Sequence, residues 1–167
     1  MRMILWHGSD RRISRFLDEG RDRALHLGTM EQARMRNGRY LHEVEVDLSH
    51  PRRSRDRGGD WSGRIRSARA AGADAIIYLN RYEGLDATVI SRLNEEGRLD
   101  GLDRLTDRAF QRLVPEARDS LIILDPSRAQ ILKVLEGCPS RLKPECEINK
   151  LELRDSAPSG GGGADPI

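Results

Sequence analysis

The sequence predicts a single α+β domain, and three observations carry that prediction. Residues 40–48 alternate. Leu41, Glu43, Glu45 and Asp47 interleave with His42, Val44, Val46 and Leu48, and the second set is apolar apart from His42. A strand with one wet and one buried face suits a half-exposed antiparallel sheet. Apolar runs at 3–6, 75–79 and 121–124 are too short for anything but buried strands, and segments of helical spacing lie between them. The same order of elements also fits a doubly wound α/β sheet. No glycine-rich phosphate loop of the GxGxxG or GxxxxGK type is present, which favours α+β.

Composition sets bounds. A chain of 167 residues suits one domain with a real core and is short for two. Hydrophobic residues make up 37% and charged residues 34%, which predicts a modest core under a heavily ionised surface. The net charge of +2 argues against a strongly basic nucleic-acid module. Lys133, Lys143 and Lys150 are the only lysines, so nearly all positive charge is arginine, which makes forked contacts to phosphate. That bias equally fits codon composition. No apolar stretch approaches the roughly 20 residues of a membrane span, and the run after Arg2 is too short for a signal peptide. Cys138 and Cys146 have no histidine nearby and fit neither a zinc site nor a disulfide-dense scaffold. A cytoplasmic protein of bacterial type, with reduced thiols and no bound metal, is the expectation.

The elements follow in order. Met3, Ile4, Leu5 and Trp6 form a first short strand, ended by His7-Gly8-Ser9 and a polar turn at 10–12. Ile13, Phe16 and Leu17 recur at helical spacing, with Gly20 as the stop. Residues 24–28 read as a second strand. Thr29 is a good helix N-cap with Glu31 and Gln32 in the first turn, and that helix runs through Ala33 and Met35 to a stop at 37–38. Pro51 and the charged run 52–59 form a loop after the alternating strand. A helix over 61–72 turns Ile65, Ala68 and Ala71 inward. Residues 80–84 form a polar loop after the strand at 75–79. Helical spacing resumes over 85–113 (Leu85, Val89, Leu93, Leu102, Leu105, Phe110) around a break at 97–101. Asp125-Pro126 ends the strand at 121–124, a further strand covers 131–135, and an edge strand is expected at 148–153. The domain is expected to span 1–153, with a helical insertion at 85–115. The tail 154–167, with four consecutive glycines, is expected to be disordered.

The first run ends in a histidine, a residue without Cβ and a hydroxyl. Gly8 allows a ligand to approach the backbone, and His7 and Ser9 flank it with hydrogen-bonding groups. The plainer reading is a strand end with an incidental histidine. His42, on the inner face of its strand, reads as a hydrogen-bonded core histidine, and His50 as a solvated one.

Taken together, these segments resemble the ADP-ribosyltransferase superfamily, of the diphtheria-toxin and poly(ADP-ribose) polymerase kind. Leu5-Trp6-His7-Gly8-Ser9 is similar to its first motif, a strand ending in His-Gly. Leu25-His26-Leu27-Gly28-Thr29, followed by Glu31-Gln32-Ala33, resembles the second. Asp119-Ser120-Leu121-Ile122-Ile123-Leu124-Asp125-Pro126 resembles the third. With Gly72-Ala73-Asp74-Ala75-Ile76-Ile77-Tyr78 between them, the pattern is closest to the ADP-ribosyltransferase-like domains of phage and mobile-element polyvalent proteins, over about residues 3–135.

The resemblance implies a split β-sandwich of two small, roughly orthogonal sheets with flanking helices, and NAD as substrate in the cleft between them. By that likeness His7 would bond the adenosine ribose, and the N–H and C=O of Gly8 would grip the nicotinamide carboxamide. Ser9 and Thr29 would help hold NAD, and His26 would stack on nicotinamide. Two departures stand out. His26 replaces the usual tyrosine, so its stacking depends on its charge. Ser120 replaces the usual glutamate and brings no negative charge, although it would still contact the nicotinamide ribose. The oxocarbenium-like state of the reaction asks for a nearby carboxylate, and Glu83, Glu116 and Asp119 are the substitutes. Glu83, at a strand end beside Asn80 and Tyr82, is preferred. Asp119 should face away from Ser120 on a regular strand. Each also reads as a solvated charge.

Asp60-Trp61 reads as a helix cap and its staple, or Trp61 as a cover over the cleft. Arg52, Arg53, Arg55 and Arg57 read as a solvated face, or as a grip on NAD pyrophosphate or a nucleic-acid acceptor. The implied activity is mono-ADP-ribosyl transfer to a macromolecule, protein or nucleic acid, with no membrane involved. The first alternative is a degenerate domain that binds NAD, ADP-ribose or a protein partner without turnover. The second is an RNA 2′-phosphotransferase-like enzyme, for which no clear set of framing arginines is seen.

Overall fold

The computed structural model describes residues 1–17, 23–36, 38–83, 85 and 87–136. Gly20, the strand at 148–153, both cysteines and the tail 154–167 lie outside the described residues. Within them the chain forms β1 (Arg2–Ser9), β2 (Leu25–Leu27), α1 (Met30–Met35), β3 (Tyr40–Asp47), β4 (Pro51–Arg53), α2 (Ser62–Ala70) and β5 (Ala75–Leu79). α3 (Ala87–Glu95), α4 (Asp107–Leu113), β6 (Asp119–Ile123) and β7 (Gln130–Glu136) follow, with short 3-10 turns at Leu102–Arg104 and Pro126–Arg128. The class is α+β, with two small sheets of order β1-β3-β7 and β2-β6-β5-β4. Every strand pair is antiparallel except β4 with β5.

The strand patterns explain the layers. Val44, Val46 and Leu48 of the β3 segment pack with Leu5, Leu25, Leu27, Ala75, Leu121 and Ile123, so one core joins the two sheets. Ile76, Tyr78 and Ile122 point to the other face of the second sheet, where Ile65 and Ala68 of α2 cover them. β5 and β6 are therefore buried on both sides, which is why their runs are continuously apolar. α3 and α4 close a third core around Phe110, Leu93, Val89 and Leu79. Arg81 ties this helical part to the sheet. Its guanidinium is buried, stacks on Phe110 at 4.9 Å, and donates to Asp107 at 2.6 Å and to the Leu105 carbonyl at 2.8 Å.

The two sheets touch where β1 meets β2. Trp6 and Gly28 exchange backbone hydrogen bonds of 2.8 and 3.0 Å. Thr29 caps α1 as expected, and Gln32 completes a capping box by accepting from the Thr29 N–H at 2.8 Å.

Four expectations are corrected. Residues 11–17 form no helix. The Ile13 N–H donates to the His42 ring and Phe16 lies edge-on to His7, so tertiary contacts use the apolar spacing without helical turns. Leu17 is exposed. Residues 51–53 are a strand, not loop: β4 is an edge strand of exposed residues whose ladder comes from β5. Leu41 is buried although it sits on the face expected to be wet, and Ala71 is exposed although its spacing points inward. No helix among the described residues is long and apolar enough to cross a membrane.

Candidate functional site

A cleft opens beside the Trp6–Gly28 bridge. His7, Gly8, His26, Glu83 and Ser120 line it, with Gln32, Arg36 and Tyr78. The structure thus brings together residues far apart in the chain: His7 and Gly8 from β1, His26 from β2, Ser120 from β6 and Glu83 from beyond β5. Its inner part has about 10 Å³ of free volume, room for roughly one water. The outer part, bounded by His26, Arg36, Trp61, Tyr78, Tyr82 and Glu83, has about 440 Å³, within the ~300–1,000 Å³ range of small-molecule sites.

Backbone geometry fixes the inner wall. Backbone groups alternate sides along a strand. Trp6 directs its N–H and C=O to β2, so Gly8, two residues on, turns its own pair the same way, away from β3. A Cβ on Gly8 would sit 2.3 Å from the Ala33 carbonyl oxygen. Glycine is required here because the last turn of α1 lies against β1. The demand comes from packing, and it leaves a donor–acceptor pair at the cleft wall.

Two histidines, His7 in that wall and His42 behind it, are in defined states. His42 is fully buried; its Nε2 accepts the Ile13 N–H at 3.0 Å, so Nδ1 carries the proton and donates to the His7 carbonyl at 3.3 Å. His7 Nδ1–H donates to the His26 carbonyl at 3.0 Å, which leaves Nε2 as an acceptor. Burial pushes both histidines below the ordinary imidazole value of 6.5, so both are neutral at pH 7.

The opposite wall is a chain of hydrogen bonds. Ser120 Oγ–H donates to Gln32 Oε1 at 3.1 Å and accepts from Asn80 Nδ2 at 3.0 Å. The same Asn80 nitrogen donates to Glu83 Oε2 at 2.7 Å, and Asn80 Oδ1 accepts the Glu83 N–H at 3.0 Å. The other Glu83 oxygen pairs with Arg36 at 2.8 Å, linking the end of α1 to the loop after β5. One amide nitrogen therefore holds the Glu83 carboxylate beside the Ser120 position. Tyr78 packs against Trp61, with ring centroids 4.5 Å apart. Burial, with the Glu83 charge second, pushes its hydroxyl up to about 12, so it stays protonated.

Ser9, Thr29 and Asp119 are placed elsewhere. Ser9 Oγ accepts the Arg11 N–H, and Thr29 Oγ1 accepts the Gln32 N–H as the helix cap. Asp119 faces away from the cleft and pairs with Arg53 through two bonds of 2.8 and 2.9 Å. Glu116 pairs with Arg92 at 3.0 Å. Gln32, Arg36, Tyr78 and Asn80 are site residues to which sequence reasoning gave no role. Thr29 and Gln32 do carry the capping-box spacing, and Tyr78 is the single ring in a buried strand; Arg36 and Asn80 have no local signal. Among the described residues no cluster of three or more His, Cys, Asp or Glu side chains is arranged to hold a metal. Comparison with family models, with curated proteins and with solved structures returned no match.

Proposed function

We propose that this chain is an ADP-ribosyltransferase-like domain that binds NAD in the cleft and transfers one ADP-ribosyl group to a macromolecule. The observation that supports this reading most is the convergence of His7, Gly8, His26 and Ser120 on one groove with Glu83 beside them. The residues fit the substrate at three points. A planar carboxamide needs one donor and one acceptor, which Gly8 offers from its backbone. A ribose hydroxyl needs an acceptor, which neutral His7 offers at Nε2. The outer cleft has volume for the remainder of a dinucleotide.

NAD supplies a bond between nicotinamide and ribose whose cleavage passes through a positively charged, oxocarbenium-like state. The chain's residues do the rest. The Glu83 carboxylate, held beside Ser120 in the cleft, would stabilise that charge, and it can orient an acceptor or take its proton. Asn80 and Arg36 position that carboxylate. His26, on the cleft wall, would lie against the nicotinamide ring. Ser120 orients Asn80 and Gln32 and supplies no charge of its own.

A second reading, binding without turnover, is favoured by one specific observation. The Arg36 guanidinium, 2.8 Å from Glu83, already neutralises that carboxylate. Incubating the protein with labelled NAD and a cell lysate separates the two. Transfer of label to protein or nucleic acid, abolished in His7→Ala and Glu83→Gln, supports the transferase. Saturable NAD binding with no nicotinamide released supports the binding domain.

A further inference from the structure

A second concavity lies beside β4 and β5, where α2 crosses the sheet. Arg52, Arg53 and Ser54 line one side, Arg64 and Ser67 the other, and Ile76 the floor. It has about 220 Å³ of free volume, and its lining includes three arginines and no carboxylate. The three are not equivalent. Arg53 is engaged by Asp119, with Asp107 at 4.0 Å behind it. Arg52 is exposed and shares the α2 face of the sheet with its register partner Ile76. Arg64 is held in place: its guanidinium lies 4.4 Å over the Trp61 ring and donates to the Arg55 carbonyl at 3.3 Å. Two arginines that no carboxylate of the groove neutralises and two serines thus line one groove, residue types that suit phosphate oxygens.

We propose that this groove binds the phosphodiester backbone of a single-stranded nucleic acid and leads that strand to the cleft as the acceptor. The acceptor role rests on the transferase reading; the binding does not. Trp61 joins the two places, since Arg64 of the groove lies over its ring and Trp61 also bounds the outer cleft. Tyr82, 47% exposed, stands across that outer cleft. Rings beside guanidiniums give bases a surface to stack on, which an acidic peptide does not use. Small overall charge fits a local grip: with a net charge of +2 the chain has little long-range field, and binding depends on the cluster itself. In the transfer, the bond from the anomeric carbon to the nicotinamide nitrogen breaks. A bond from that carbon to a base or hydroxyl heteroatom of the strand forms, and the acceptor's proton leaves through Glu83 to solvent, with no change of oxidation state.

The test is fluorescence anisotropy of a short labelled single-stranded oligonucleotide, without NAD, at several salt concentrations. Wild type, Arg52→Glu, Arg64→Ala and the double variant are compared, with folding checked by circular dichroism. The expected result is binding that the double variant weakens at least about tenfold. Its salt dependence should also flatten, by a log–log slope of ~0.7 for each phosphate that the variant no longer neutralises. Arg52→Glu, an exposed position, carries the test if Arg64→Ala unfolds. Unchanged affinity and slope in Arg52→Glu and the double variant would overturn the proposal, as would a poly-glutamate peptide that competes as well as the oligonucleotide. A parallel NAD titration keeps the two claims apart. Oligonucleotide binding without NAD binding removes the transferase reading and leaves the groove standing, and NAD binding without oligonucleotide binding does the reverse.

Discussion

The two faces of β6 and its neighbours are polar in opposite ways. On the cleft face, Gln32, Ser120, Asn80, Glu83 and Arg36 are bonded in series, each holding the next, and Thr29 anchors the series from behind by capping α1. On the other face, one residue earlier, Asp119 makes a solvent-exposed pair with Arg53. Adjacent residues on one strand therefore live under different rules. In the buried part of the series, Gln32, Ser120 and Asn80, a missing partner strands its neighbours, since an unsatisfied buried group costs about 1–3 kcal/mol. In the exposed pair water replaces what is removed, and such pairs are worth under about 1 kcal/mol.

Substitutions sharpen the contrast, beginning with the largest effect. Glu83→Gln keeps the shape of the series and removes the charge. Nicotinamide release is expected to fall ~100-fold or more, the usual weight of a positioned acid–base or electrostatic group, with melting temperature nearly unchanged. Equal turnover would remove Glu83 from the reaction. Gly8→Ala sets a methyl 2.3 Å from the Ala33 carbonyl oxygen, and denaturant unfolding should show a destabilisation of ~1–3 kcal/mol. Ser120→Ala should cost about 1–2 kcal/mol, because it leaves Asn80 and Gln32 short of a partner. A double-mutant cycle of Ser120 with Gln32 should give a coupling of at least ~0.5 kcal/mol; simple additivity would mean that the series is not a unit.

A smaller effect comes from pH. His7 is held neutral in the fold, below the 6.5 of a free imidazole. Below pH 6.5 the unfolded chain takes up the proton first, so stability is complete above that value and declines as pH falls toward the lowered folded-state value. His7→Asn should flatten that slope in a pH series of unfolding curves, and His42 supplies the slope that is left. Arg53→Ala should be the mildest change, under about 1 kcal/mol by the same measurement.

The same division explains what the sequence could reveal. Strands β3, β5 and β6 were legible because burial imposes a period or a continuous apolar run. β4 was not, since three exposed residues at a sheet edge carry no pattern. The apolar spacing of Ile13 and Phe16 misled because it serves contacts with His42 and His7. At the site, His7, Gly8, His26 and Ser120 could be singled out as motif positions, and the alternation along β6 already turned Asp119 away from Ser120. The series that positions Glu83 was hidden. Asn80 comes from the loop after β5 and Arg36 from the end of α1, and only the folded chain shows that they meet one carboxylate.

The most direct test is an NAD titration followed by backbone amide resonances. Binding at the cleft should shift Gly8, His26, Ser120 and Glu83 together and leave β7 unmoved. No shifts at saturating NAD, or shifts that gather away from these four residues, would contradict the placement of the dinucleotide in this cleft.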